Sequence, residues 1–387
     1  MRKSIQHVSG LAIILLIILS SCDLTGTDPV DDNPPVGTSP YAENVDVFAG
    51  KYYESLTFRS GRVSYIKENV SIYGEASGTI RLTIEPGAVV KFDPDATLVC
   101  YAGLKVIAEG TDEAPILFTS IDDDSTEALG DSLKDGPGHP GPGSWKYLQV
   151  QPSAAGNIFR NCEIRYGGAA RGYTFFLEGQ STVIDCDFHD NASATSYGGY
   201  AALWLRGSGA PWHVVNGNRF WDNGIPLSIP LGMSLDDSNE FLVDHDADDE
   251  TDRIGNRFNI IALDLYYGTL VSEAITWSET EVPFYLDGRG IDLGDATCDG
   301  SLTIGPGAGM KISGGTNNGV IDVSARGTLT YPETTKTFTS IRDDSFFGDS
   351  NGDADATSPS NEDWMGIRGP DSSFIVNEAA IFYCYGM

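Results

Sequence analysis

Three stretches of the chain carry chemistry-bearing side chains in one shared pattern: FRNCEIRYGG (159–168), VIDCDFHDN (183–191) and VNGNRFWDN (215–223). Each has a small or amide residue, a variable one, then a large apolar one: Cys162-x-Ile164, Cys186-x-Phe188 and Asn218-x-Phe220. In a strand this alternation turns Ile164, Phe188 and Phe220 inward and their neighbours outward. With strands stacked about 4.8 Å apart, the outward residues form two columns, Glu163/Asp187/Arg219 and Arg165/His189/Trp221. A polysaccharide lyase needs a base for the proton α to a uronate carboxylate and a cation for the resulting charge. A glycoside hydrolase needs two carboxyls, for which Glu163 and Asp187 are the candidates. The same residues also make an ordinary solvated strand face, because opposite charges on adjacent strands stabilise modestly. That reading is the stronger, and no catalytic residue is assigned.

A second constellation is acidic. GDSNGDADATSPSNEDW (348–364) places Asp349, Asn351, Asp353 and Asp355 at alternate positions, with Glu362 and Asp363 following. Hard oxygen donors in a Gly-rich loop suit Ca²⁺, and the expected ligands are Asp349, Asn351, Asp353, Asp355 and Asp363. The loop is not an EF-hand, since Ala354 stands where the turn glycine belongs. No Lys or Arg follows before Arg368 to balance these charges. The comparable stretch GDSLKDGPGHPGPGSW (130–145) keeps Asp131 and Asp135 but adds Lys134, so no metal is expected there.

These two stretches belong to a duplication. FTSIDDDS (118–125) returns as FTSIRDDS (338–345), LTIEPG (82–87) as LTIGPG (302–307), Trp145 as Trp364, and YGG (166–168) as YGM (385–387). The order is kept and the offset stays at 219 or 220 residues, so a unit spanning about 63–168 recurs over about 282–387. Between 82 and 120 the strands are three to five residues long, with Gly, Pro and Asp at the corners. A chain that turns so often winds into a coil whose strands stack on those of the next. Cys162 and Cys186 should then be neighbouring buried thiols on adjacent rungs, and most of the five cysteines after Cys22 act as small buried hydrophobes. His139, His213 and His245 have no motif around them and read as loop residues.

The pattern TIEPG…VKF…L.V…AEGT…PILFTS, with its DW.GI and N-x-F-x-N rungs, resembles the bacterial secreted and lipoprotein β-helix repeat proteins of the broad pectate-lyase-like superfamily. The resemblance covers 83–168, 214–223 and 277–387, and ITWSETEVPFYL (275–286) resembles the stretch that reopens a second module. It implies an all-β fold, a right-handed parallel β-helix (solenoid) with a duplicated opening module. It implies no single activity, because such folds host enzymes, adhesins and inert scaffolds.

The start of the chain reads as an export signal. MRKSIQHVSGLAIILLIILSSC has a basic start, an apolar run at 11–19 and small residues before Cys22. LSSC (19–22) resembles a lipoprotein lipobox, which implies cleavage before Cys22 and lipidation of its thiol. Residues 23–40 are polar, Pro-rich and free of aromatics, a tether composition. The expected organisation is a signal peptide at 1–21, a tether at 22–40, a first β-helix module at 41–270 and a shorter or truncated second module at 271–387. A formal charge of −31 disfavours nucleic acid and anionic lipid surfaces as partners. The expected role is a lipid-anchored cell-envelope protein, at the outer membrane or cell surface ahead of the inner membrane. It would be structural, or bind an extracellular polysaccharide or surface protein, with Trp204 and Trp221 as exposed stacking platforms. The final rung, lacking an evident cap, suggests self-association through the C-terminal end.

Overall fold

The computed structural model describes residues 43–75, 78–125, 139–152, 156–170, 172–192, 200–207, 213–244, 253–314 and 318–385, all within one compact unit, Val36–Met387. The expected signal peptide, the tether, Cys22, His245 and the Asp131/Lys134/Asp135 stretch lie outside the described residues.

The fold is all-β, a parallel β-helix. Successive strands cycle through three sheets. Arg81–Ile84, Val89–Phe92 and Thr97–Cys100 make one coil; Lys105–Glu109, Ile116–Ser120 and Tyr147–Val150 make the next. Each strand pairs in parallel with its counterpart one coil on: Leu82 with Val106, Val90 with Phe118, Leu98 with Leu148. The long strand Val63–Ile72 serves two sheets, its first half pairing with Val89–Phe92 and its second with Thr97–Cys100. Short parallel strands of this kind are stable only when stacked, and the inward side chains supply the reason. Phe188, Phe220 and Phe241 stack at 5.2 and 5.1 Å inside the coil, and Trp145 lies on Phe92 at 4.2 Å.

Corners are as regular as strands. Between the first-sheet and second-sheet strands a single residue turns the chain with positive φ: Asn161 (44°), Asp185 (54°) and Gly217 (66°). Asn and Asp tolerate that conformation better than other side chains. After the second-sheet strands, the buried amides of Asn191, Asn223 and Asn256 form a ladder, each Nδ2 donating to the next Oδ1 at 3.0 and 2.9 Å. Their second Nδ2 hydrogen reaches a carbonyl of the coil before, as in Asn223 to Phe188 at 2.8 Å. Buried amides are thereby satisfied where the backbone alone cannot pair.

The duplication is present strand for strand. Leu302 pairs with Leu329, Met310 with Phe338 and Ile321 with Ile367, reproducing the pairings of the first copy. One landmark shifts. Trp145 Nε1 donates to the Arg165 carbonyl at 2.8 Å, and Trp364 Nε1 to that of Phe382 at 2.9 Å. Tyr166 and Tyr383, each next in sequence, share a positive φ of 63° and 58°. Ile164-Arg165-Tyr166 therefore corresponds to Ile381-Phe382-Tyr383, and the match of YGG with YGM was two residues out. The strand Phe338–Ser340 is also not bare, since Ile381 bridges to Phe338 in parallel.

The two copies are joined out of phase. The third sheet runs on without a break through Leu227–Pro230, Ile261–Asp264, Phe284–Leu286, Met310–Ile312 and Phe338–Ser340. The first sheet ends at Val214–Asn216, and Ala274–Trp277 opens a separate sheet that Leu235 meets in an isolated bridge to Trp277. The second sheet ends at Glu240, which bridges to Arg219.

Candidate functional site

The register places the charged columns as the sequence implies. Glu163 pairs with Asp187 and Asp187 with Arg219; Arg165 pairs with His189 and His189 with Trp221. The same register sets Cys162 beside Cys186, and both are free buried thiols. Burial and the neighbouring Cys186 push the Cys162 thiol well above its usual range, which makes it inert.

Within the columns each charged group has a partner. Arg165 donates from Nη1 to Glu163 Oε1 at 2.6 Å and from Nη2 and Nε to Asp123 Oδ2 at 2.6 and 2.9 Å. His189 sits between Glu163 (Nε2, 3.1 Å) and Asp190 (Nδ1, 2.8 Å), and its ring stacks on Trp221 at 4.4 Å and 6°. Arg219 grips Asp187 with two bonds of 2.7 and 2.5 Å. Burial works against protonation of His189, yet Asp190 and Glu163 outweigh it and hold its pKa above the ordinary value. For Glu163 burial pulls upward, but His189 and Arg165 overcome it and keep the carboxyl below the usual range. The ladder is an ion-pair network in which each partner favours the charged form of the next.

The expectation of two exposed tryptophans fails. Trp204 and Trp221 project outward from the coil but are only 6% and 9% exposed. Trp221 is covered by His189, and the Arg219 guanidinium lies 5.6 Å from its ring centre. Trp204 is packed between Phe176, at 4.1 Å, and Tyr200, at 4.4 Å, with the Arg206 guanidinium 4.0 Å from its ring centre. Its Nε1 donates to Asp264 Oδ2 at 3.0 Å, the oxygen that also takes Arg206 Nε at 2.8 Å. The exposed rings belong to residues that sequence reading passed over. Tyr266 is 64% exposed and Tyr267 56%, and Arg206 also lies 4.0 Å from the Tyr266 ring centre. On the same third sheet Tyr53, Tyr73 and Tyr101 stack at 5.0 and 4.4 Å just past their strand ends. His213 lies in the loop just before Val214–Asn216, as expected, yet it is buried; its Nε2 donates to the Arg206 carbonyl at 3.1 Å, and burial lowers its pKa to about 4.

The acidic loop is more selective than its sequence suggests. Asp344, Asp349 and Asp353 bring one oxygen each within 4.8 Å of one another. Asp344, which sequence reading missed because it lies inside the repeated octapeptide, has a buried Oδ1 with no hydrogen-bond partner. Burial raises its pKa, and Asp349, Asp353 and Asp355 add to the rise against the pull of Lys311. Two expected ligands are diverted. Asp363 accepts from Ser340 Oγ (2.5 Å) and Arg342 Nη1 (3.1 Å), and Asn351 turns its Nδ2 toward Asp353 at 2.9 Å. Asp355 stands outside the converging set. Nor does the loop lack a cation: the buried Lys311 donates to the Gly348 carbonyl at 2.8 Å, and burial draws its pKa down to about 8. Three converging carboxylate oxygens fit Ca²⁺ chemistry better than that of a soft metal.

No family profile, curated protein or solved structure matches this chain.

Proposed function

We propose that this chain is a non-catalytic, lipid-anchored β-helix protein of the bacterial cell envelope that binds carbohydrate on the outside of its third sheet. The observation that carries the reading is the closed pairing of the charged columns. A hydrolase needs one carboxyl that keeps its proton near neutral pH, whereas Glu163 is held ionised by His189 and Arg165. A lyase needs a base and a cation free to meet substrate, and here Arg165 and Arg219 are each bound to carboxylates.

The third sheet offers the better binding surface. Tyr266 and Tyr267 are open, and the Tyr266 ring lies against Arg206, which is locked together with Trp204 and Asp264. Exposed rings on a rigid base bind flat, partly apolar ligands at low entropic cost, and the sheet extends through both modules. Titration against neutral and acidic polysaccharides should show binding to at least one neutral polymer, weakened at least about tenfold in Tyr266→Ala/Tyr267→Ala, a loss of about 1.4 kcal/mol. Turnover of any polymer in the panel, abolished by Glu163→Gln, would overturn the reading in favour of a lyase or hydrolase.

The leader and lipobox support export and attachment through Cys22. Wild type should enter the detergent phase and Cys22→Ala should not, because a diacylglyceride supplies the two chains that stable anchoring requires. A processed wild type that stays soluble would remove the anchor. The Asp344/Asp349/Asp353 set supports one Ca²⁺ site in the second module, which would order the loop in front of Trp364.

A further inference from the structure

Where the second sheet stops, the chain itself closes the end. The strip 278–283, Ser-Glu-Thr-Glu-Val-Pro, crosses over residues 234–242 and is fastened by side chains. Glu281 Oε2 accepts the N–H groups of Phe241 (2.7 Å) and Leu242 (3.2 Å). Thr280 donates from N and Oγ1 to Asp237 Oδ1 at 3.0 and 2.9 Å. The edge of a sheet that no strand continues is thus satisfied by carboxylates.

Between these fastenings sits Glu279, which is 0% exposed. Its Oε1 accepts the N–H groups of Thr280 (2.9 Å) and Glu281 (2.8 Å), while the buried Oε2 has no hydrogen-bond partner. Asp236, Asp237 and Glu240 lie on the strip below, and Glu281 on its own strip. The neighbouring turn, Gly305-Pro306-Gly307-Ala308, carries no charge. Every titratable group on these elements is acidic. An ionised carboxylate here would be buried, half-satisfied and repelled by its neighbours, and the protonated form costs less.

We propose that Glu279 is a proton-operated latch at the seam between the two modules: with its proton the strip stays closed over the second sheet, and without it the strip lifts. Lifting frees the Phe241 and Leu242 N–H groups at a sheet edge. Burial, with Asp237 and Glu281 adding to it, raises the Glu279 pKa from 4.5 to about 8. A carboxyl raised in this way stabilises the closed seam fully below about 4.5, progressively less as pH rises, and not at all above about 8.

Hydrogen exchange on the full chain, corrected for the intrinsic rate, tests this at the amides of Phe241, Leu242 and Thr280. In wild type their protection should fall at least about tenfold between pH 6 and pH 8.5, the change expected where one proton is released. Glu279→Gln, which keeps the accepting oxygen and cannot ionise, should hold its protection level over that range. Asp237→Asn, which removes one repelling charge and keeps an oxygen to accept from Thr280, should move the fall to lower pH. Parallel pH profiles for wild type and Glu279→Gln would overturn the proposal. An unmoved midpoint or an upward shift in Asp237→Asn would do so independently, should Glu279→Gln fail to fold.

Discussion

The two copies of the repeated octapeptide build the same corner and then use it differently. In the first, Thr119 and Ser125 donate to Asp123 at 2.5 and 2.8 Å; in the second, Thr339 and Ser345 donate to Asp343 at 2.6 Å each. A buried lysine lies beneath both, Lys91 reaching the Asp123 carbonyl at 3.0 Å and Lys311 that of Gly348 at 2.8 Å. The cation that pairs with the buried aspartate differs. Arg165 comes from the next coil and ties Asp123 to Glu163 and on to His189, whereas Lys336 comes from seven residues upstream of Asp343. What the octapeptide preserves is a hydrogen-bonded turn around a buried carboxylate. The chemistry beside that turn was free to diverge, into an ion-pair ladder in one copy and an open acidic loop in the other.

The equivalence of the corners is most severely tested by Asp123→Ala and Asp343→Ala. Each removes a buried carboxylate that accepts from two hydroxyls and a half-buried cation, and each should cost about 3 kcal/mol or more in denaturant unfolding. A copy that tolerates the change would break the equivalence. A smaller effect should separate the copies. Lys91→Met and Lys311→Met each remove a buried ammonium's bond to a carbonyl, for about 1.5–3 kcal/mol, but only the Lys311→Met loss should be partly recovered by Ca²⁺. Wild type itself should melt a few degrees higher in Ca²⁺ than in chelator, and Asp349→Ala/Asp353→Ala should not. Equal melting of wild type in both conditions would leave the second loop a solvated acidic turn like any other.

The smallest effect belongs to the ladder. The pKa of His189 is raised in the folded state, so its contribution is full below the unfolded value of 6.5 and drains as pH climbs through the folded one. The stability gap between wild type and His189→Gln should therefore narrow between pH 6 and pH 8. Glu279 titrates over part of that range in both proteins, so the gap and not the absolute midpoint is the measure. A gap that widens would mean that His189 is neutral between Glu163 and Asp190.

Much of this was legible in the sequence, for reasons that are physical. The columns through Glu163 and Arg165 could be read because one large buried apolar side chain per strand, Ile164, Phe188 or Phe220, fixes which side faces out and leaves only one register. The exposure of Trp204 could not be read, because the groups that cover it come from elsewhere: Asp264 lies 60 residues on. Lys311 was missed for a similar reason. It stands in a strand as an outward lysine would, yet its ammonium bonds a carbonyl 37 residues later. The pairing of YGG with YGM misled because matching letters were trusted over the tryptophan side chains that define the corner. The acidic loop gave its composition but not its geometry, so Asp344 was overlooked and Asp363 was counted where Ser340 and Arg342 already hold it.

The out-of-phase join has a mechanical consequence. Away from the seam, tension along the axis is shared by three ladders of hydrogen bonds in parallel. At the seam, among the described residues, only the third sheet is continuous; beside it stand the isolated Leu235–Trp277 bridge and the side-chain fastenings at Phe241 and Thr280. A molecule pulled from its two ends would yield there first, parting into two halves that each keep their own coils. The extension at rupture would then be set by the residues between the halves, and the rest of the solenoid would stay wound.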